Sequence, residues 1–123
     1  MILPKLEEVA PRRPGERCCD PDAIPSMSLA ETGLATADLE ILAHPVRMQL
    51  LDVLARKEGS VCVCDLEAAL PVKQPTVSHH LKLLRKAGLI QSERRGLYAY
   101  YRVDRPALDA LRGRIDRYLA KFG

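Results

Sequence analysis

Two pairs of cysteines carry the most specific chemistry in this chain of 123 residues: Cys18-Cys19 near the N-terminus and Cys62-Val63-Cys64 at mid-chain. Thiolates are soft donors, so such pairs suit As(III), Sb(III), Cd, Pb or Zn. As(III) keeps a lone pair and takes three sulfurs in a pyramid, whereas Zn and Cd favour four ligands in a tetrahedron. The C-x-C spacing sets a geometric condition. Residues i and i+2 point about 200° apart on a helix but share one face of an extended segment. Both sulfurs can therefore meet one ion only if the pair straddles a strand-to-helix junction or the helix start distorts. A helix N-terminus at that point is expected to lower the thiol pKa and favour the thiolate. The same residues have a plainer use as small core side chains, and that use fits Cys62 best. Neither pair has the C-x-x-C spacing of dithiol oxidoreductases, and no thioredoxin-like βαβ pattern surrounds them. An enzymatic role is not expected.

A second group of side chains suits a polyanion. Between Pro71 and Arg102, seven basic residues stand against the single acid Glu93, a net +6 in a chain whose total is +3. On a helical wheel Val77, Leu81 and Leu84 share one face at i, i+4, i+7, with His80 beside them. Opposite that stripe lie His79, Lys82 and Lys86, with Ser78 and Arg85 along one flank. This face carries the donors that reach phosphates and base edges, Ser78, His79 and Lys82 best placed among them. Lys73, Gln74 and Thr76 stand at the start of the same helix. Arg94 and Arg95 fall near a hairpin tip, where cations reach a phosphate or the minor groove. Tyr98 offers a hydroxyl to the same phosphates or packs in a sheet. A solvated helix face is the bland alternative; the neighbouring elements decide against it.

Those elements read as follows. A short helix over Cys64–Ala69 is cut off at Pro71, and a second runs from Pro75 to Ala87 and stops at Gly88, making a helix-turn-helix. Strands over Leu89–Arg94 and Leu97–Val103 flank Gly96 as a wing. Ser60–Val63 is β-prone and is expected to add a third strand. Upstream, one helix is predicted over Ala35–Ala43, with Thr36 as N-cap and Leu39 and Leu42 inward. The next starts at Pro45 and ends at Gly59, with Val46, Leu50, Val53 and Leu54 as its stripe and His44 as a cap or turn residue. Asp104 caps a last helix, with Pro106 in its first turn. Its stripe of Leu108, Leu111, Ile115, Leu119 and Phe122 is longer than a small domain covers. Residues 1–33 hold five of the nine prolines and read as a flexible arm bearing the Cys-Cys pair. Residues 34–123 form the folded unit.

The run C-V-C-D-L, then Q-P-T-V-S-H-H-L-K-L-L-R-K-A-G-L-I, then E-R-R-G-L-Y-A-Y-Y-R resembles the ArsR/SmtB family of metal- and metalloid-responsive repressors. The likeness extends back through L-A-H-P-V-R-M-Q-L-L-D-V-L and covers most of residues 35–120. It implies a mainly α winged helix-turn-helix with a small β-hairpin wing. It also implies a homodimer through the first and last helices that binds double-stranded operator DNA. Arsenite sensors of one type take three cysteines from C-V-C-D-L-C. Here the third position is Glu67, so the missing donor must come from elsewhere. Cys18-Cys19 resembles the tail cysteines that complete the site in other arsenite sensors. The resemblance thus implies As(III), with Sb(III) alongside, as an effector held by Cys18, Cys19, Cys62 and Cys64 and releasing the DNA. Three alternatives keep the fold: a Cd, Pb or Zn sensor, a redox or persulfide sensor using a sulfur bridge, and a structural Zn site. The zinc site that relatives build on the terminal helix needs His, and residues 104–123 contain none.

Size and composition agree. One small domain with one Phe and no Trp must build its core from aliphatic residues and gains from dimerisation. No segment reaches membrane-span length and no signal-peptide pattern appears, so the expected location is the cytoplasm, where thiols stay reduced.

Overall fold

Caps, prolines and glycines set most of the element boundaries in the computed structural model, which describes residues 20–123. Helix α1 spans Leu29–Leu42, and Ser28 opens it by accepting a hydrogen bond from the Glu31 amide at 3.1 Å. It begins six residues before the predicted start. Thr36 is therefore no cap but an interior residue whose hydroxyl donates to the Gly33 carbonyl. The last five residues of the stretch read as an arm are helical. Helix α2 spans Pro45–Ala55, capped by His44, whose Nδ1 accepts from the Val46 amide at 3.1 Å. It stops four residues short of Gly59. Arg105, far along the chain, donates to the Ala55 and Lys57 carbonyls and satisfies from outside the acceptors a longer helix would have bonded internally.

Strand β1 is only Val61–Cys62, and it runs directly into α3, Val63–Ala69. Helix α4, Gln74–Lys86, follows a turn bounded by Pro71 and Pro75, and Gly88 at φ 79° turns the chain out of it. Strands β2, Ile90–Arg95, and β3, Tyr98–Val103, pair antiparallel around a two-residue turn. Asp104 then caps α5, Arg105–Ala120, by accepting from the Ala107 amide at 3.0 Å. The sheet order is β1-β3-β2, with Val61 opposite Tyr101 and Cys62 opposite Tyr100. The expected third strand thus exists and lies against β3, away from β2.

The core sits where α2, α3 and α4 meet the sheet. Leu50, Leu54, Leu66, Val77, Leu81, Leu84 and Ile90 are fully buried there, each contributing about 1.5–3 kcal/mol of burial free energy. The α4 stripe is as the helical wheel has it. Leu111 anchors α5 to this core. Helix α1 is held differently: Arg114 of α5 donates from Nε and Nη2 to the Asp38 carboxylate at 2.9 and 3.2 Å, and the Tyr118 hydroxyl adds a third bond at 2.7 Å. Leu39 does not face the core. It is 43% exposed and shares an apolar groove between α1 and α5 with Ile115, Leu119 and Phe122. No helix among the described residues is long and apolar enough to cross a membrane.

Candidate functional site

Helix α4 and the wing present the basic and polar side chains on one continuous stretch. Burying Val77, Leu81 and Leu84 leaves Ser78, His79, Lys82 and Arg85 exposed, together with Lys73 and Gln74 at the helix start; Thr76 is half-buried. Two of these are already engaged. Gln74 donates from Nε2 to Glu67 of α3 at 2.8 Å, and Arg85 reaches the Ser92 hydroxyl of β2 at 3.4 Å. The first bond ties the two helices of the helix-turn-helix together, and the second ties α4 to the wing. Arg94, Arg95 and Tyr98 are exposed at the wing's end. Arg95 bonds Glu93 at 3.2 Å and its guanidinium lies 4.7 Å from the Tyr100 ring centre, so the chain enters any contact with that cation already oriented.

Behind the exposed face, His80 is a buried polar residue of α4, only 6% exposed. Arg47 of α2 donates from Nη1 to its Nδ1 at 3.2 Å, which requires that nitrogen to be unprotonated. The other Arg47 nitrogens cap the end of α1, donating to the carbonyls of Ile41 at 2.8 Å and Glu40 at 2.9 Å. The His44 ring stacks at 4.1 Å from that of His80. Burial, then the charges of His44 and Arg47 and of His79, hold the His80 pKa below the usual imidazole range. Sequence reasoning placed His80 at the edge of the stripe and missed Arg47 altogether. The available signal was the place of His80 at the edge of the stripe that Val77, Leu81 and Leu84 bury.

The mid-chain cysteines meet the geometric condition that C-x-C imposes. Cys62 ends β1 and is the first residue before α3, with extended φ −64° and ψ 142°, while Cys64 lies in the first turn. The pair straddles the junction, and the Cys64 thiol donates to the Cys62 sulfur at 2.8 Å. Cys62 is buried and Cys64 exposed, and both are free thiols. The expected lowering of the pKa is not found at Cys64. Its bond to Cys62 favours the neutral thiol, partial desolvation adds to this, and the negative charges of Cys62 and Asp65 oppose a thiolate, so its pKa is raised. A seven-residue helix with Asp65 already in its first turn has little field left to offset these effects. Among the described residues, no cluster of three or more His, Cys, Asp or Glu is arranged to hold a metal ion. The two sulfurs suit a soft ion but supply two donors, fewer than As(III), Zn or Cd takes. Cys18 and Cys19, expected to complete the set, lie outside the described residues.

The family model described as "Bacterial regulatory protein, arsR family" matches residues 44–92, from the α2 cap into β2. The "Arsenic resistance transcriptional regulator ArsR1" of Pseudomonas putida is 44% identical over 62 residues, or 50% of this chain and 48% of its own. The chain thus spans about half the length of that relative. The "Putative arsenical resistance operon repressor ArsR2" of Halobacterium salinarum is 36% identical over 89 residues, covering 70% of this chain and 71% of that protein. Among solved structures, the AntR antimony-specific transcriptional repressor superposes with a TM-score of 0.57 at 31% identity, covering 83% of this chain and 93% of its own.

Proposed function

The chain belongs to the arsR family of bacterial regulatory proteins, and from that membership we propose that it is a homodimeric, As(III)-responsive transcriptional repressor of the cytoplasm. Its family is one of DNA-binding regulators and not of enzymes. In this reading α4 lies in the major groove, with Ser78, His79 and Lys82 toward base edges. Lys73, Gln74, Thr76, Arg85, Arg94, Arg95 and Tyr98 hold phosphates and the minor groove. A second copy packs on the α1–α5 groove, and the two α4 helices then stand about one DNA turn, ~34 Å, apart.

The observation that carries the effector assignment is the 2.8 Å approach of the Cys62 and Cys64 sulfurs at the junction of β1 and α3. That junction bears on both DNA-contacting elements. Cys62 pairs with Tyr100 in the wing, and α3 reaches α4 through the Glu67–Gln74 bond. Drawing the two sulfurs into a three-sulfur pyramid, with Cys18 or Cys19 as the added donor, would shift β1 against the wing and α3 against α4 together. Release needs a coupling of about 1–3 kcal/mol between effector and operator binding. Sb(III) makes the same trivalent demand, and the AntR repressor of similar fold is described as antimony-specific.

Fluorescence anisotropy of the reduced full chain on DNA from upstream of its own gene tests this. Low arsenite or antimonite is expected to release the DNA, with cadmium ineffective at equal concentration. Release by cadmium first would replace the metalloid with a four-thiolate metal site. Release by none of them, with DNA binding intact, would overturn the metalloid assignment, and a thiol oxidant would then be the next effector to try.

A further inference from the structure

The wing ends in a residue that the turn does not require. Arg95 and Tyr98 are the last β2–β3 pair, so Gly96 and Leu97 are the two turn residues. Gly96 has φ 63°, and no non-glycine described residue has positive φ, so Leu97 does not. A two-residue hairpin turn with positive φ at its first position alone follows the type II′ pattern, whose second position accepts many residues and is commonly polar. Here it is a leucine, 88% exposed, at the far end of a hairpin whose residues are exposed from Gln91 to Tyr98. The alternation of the strand puts Arg94 on the face shared with buried Ile90 and Arg95 on the opposite face. The apolar tip is thus flanked by a cation on each side. Arg95 is preset by Glu93 and the Tyr100 ring, and Arg94 has no ion pair among the described residues.

We propose that Leu97 is a wedge that enters the minor groove beneath the wing and opens one base step. This rests on the repressor reading above. Cations on both faces match the two phosphate walls of a groove, and that complementarity selects nucleic acid over an apolar partner protein. Within the groove an isobutyl group has no hydrogen bond to offer; beyond the sugar walls, the large apolar surface it can reach is the base faces exposed when a step unstacks. Leu97 then reads deformability and not base edges. Operators should prefer a flexible pyrimidine–purine step at the wing position, a fixed distance from the bases read by α4.

The test uses duplexes selected from a random pool by the full chain, with minor-groove protection locating the wing. 2-Aminopurine placed at the protected step should brighten on binding wild type. L97A, changed at an exposed position, should fold normally, leave the probe dark and bind about tenfold more weakly; L97M should retain both effects. A mismatch at that step, which is already easier to open, should tighten wild-type binding and leave L97A unchanged. Wild-type binding with a dark probe, or equal affinity for L97A and wild type, would overturn the wedge while leaving the repressor reading standing. A mismatch that helps both proteins equally would also overturn it, reducing Leu97 to a turn residue. Failure of the wild type to select any DNA would instead remove the repressor reading itself.

Discussion

Cys64 and His80 show how much a single side chain's surroundings decide. With one sulfur exposed and hydrogen-bonded to a buried one, Cys64→Ser removes a soft donor without opening the core. That variant should bind operator DNA within about twofold of wild type and lose arsenite release, both read by anisotropy. Wild-type release by Cys64→Ser would remove Cys64 from the ligand set. His80 makes a pH prediction. Its folded pKa lies below the ordinary 6.5, so the fold favours the neutral ring. The associated stability is complete above pH 6.5 and drains away as pH falls from there through the folded value. Urea melts should weaken between pH 7.5 and 5.5, and His80→Gln, which can still accept from Arg47, should flatten that slope. Asp38 acts elsewhere: the Arg114 bond lowers its pKa from 3.8, so its contribution disappears only in stronger acid. The spacing of Cys62 and Cys64 stated in advance what the junction had to look like. The raised thiol pKa was not legible, because it depends on which sulfur donates to which.

At the scale of elements, α4 and the wing were readable whole and α1 only from Ala35 onward, and the difference is physical. Helix α4 buries one face completely, so its apolar residues recur at helical period; Leu81→Ala should cost about 2–5 kcal/mol in a urea melt. In α1 the leucines at 29 and 34 are 93% and 69% exposed, so no inward stripe marks the first half of the helix. Its signal was instead local, the Ser28-x-x-Glu31 capping pattern at its start. What fixes α1 is the Asp38–Arg114–Tyr118 set, whose partners are too far apart in sequence for any periodicity to join them. Asp38→Ala should therefore lower stability by about 1–3 kcal/mol and expose α1 amides to hydrogen exchange before those of α4. Equal protection in both helices would mean that the groove, and not the ion pair, holds α1.

For the whole molecule, Leu97 and Tyr98 of the wing apart, the basic segment and the exposed apolar groove are separated. The net +6 segment between Pro71 and Arg102 lies on α4 and the wing, and the exposed Leu119 of α5 and Phe122 just beyond its end lie beside α1. Leu119→Glu should yield a monomer by sedimentation that keeps its fold and binds a palindromic operator roughly a hundredfold more weakly, having lost the second half-site. An unchanged dimer would place the interface elsewhere. Lys73→Ala, at a phosphate-holding position, should reduce the slope of log affinity against log salt by about 1 per subunit. The strand order also sets a timetable. Because β1 bonds to β3 and not to β2, Cys62 is fixed by Tyr100, and the thiol pair takes shape only after the ribosome has passed Val103. A shorter nascent chain carries two ordinary solvated thiols and no wing. The thiol pair and the wing are thus completed by the same strand, and a chain that stops short of β3 has neither.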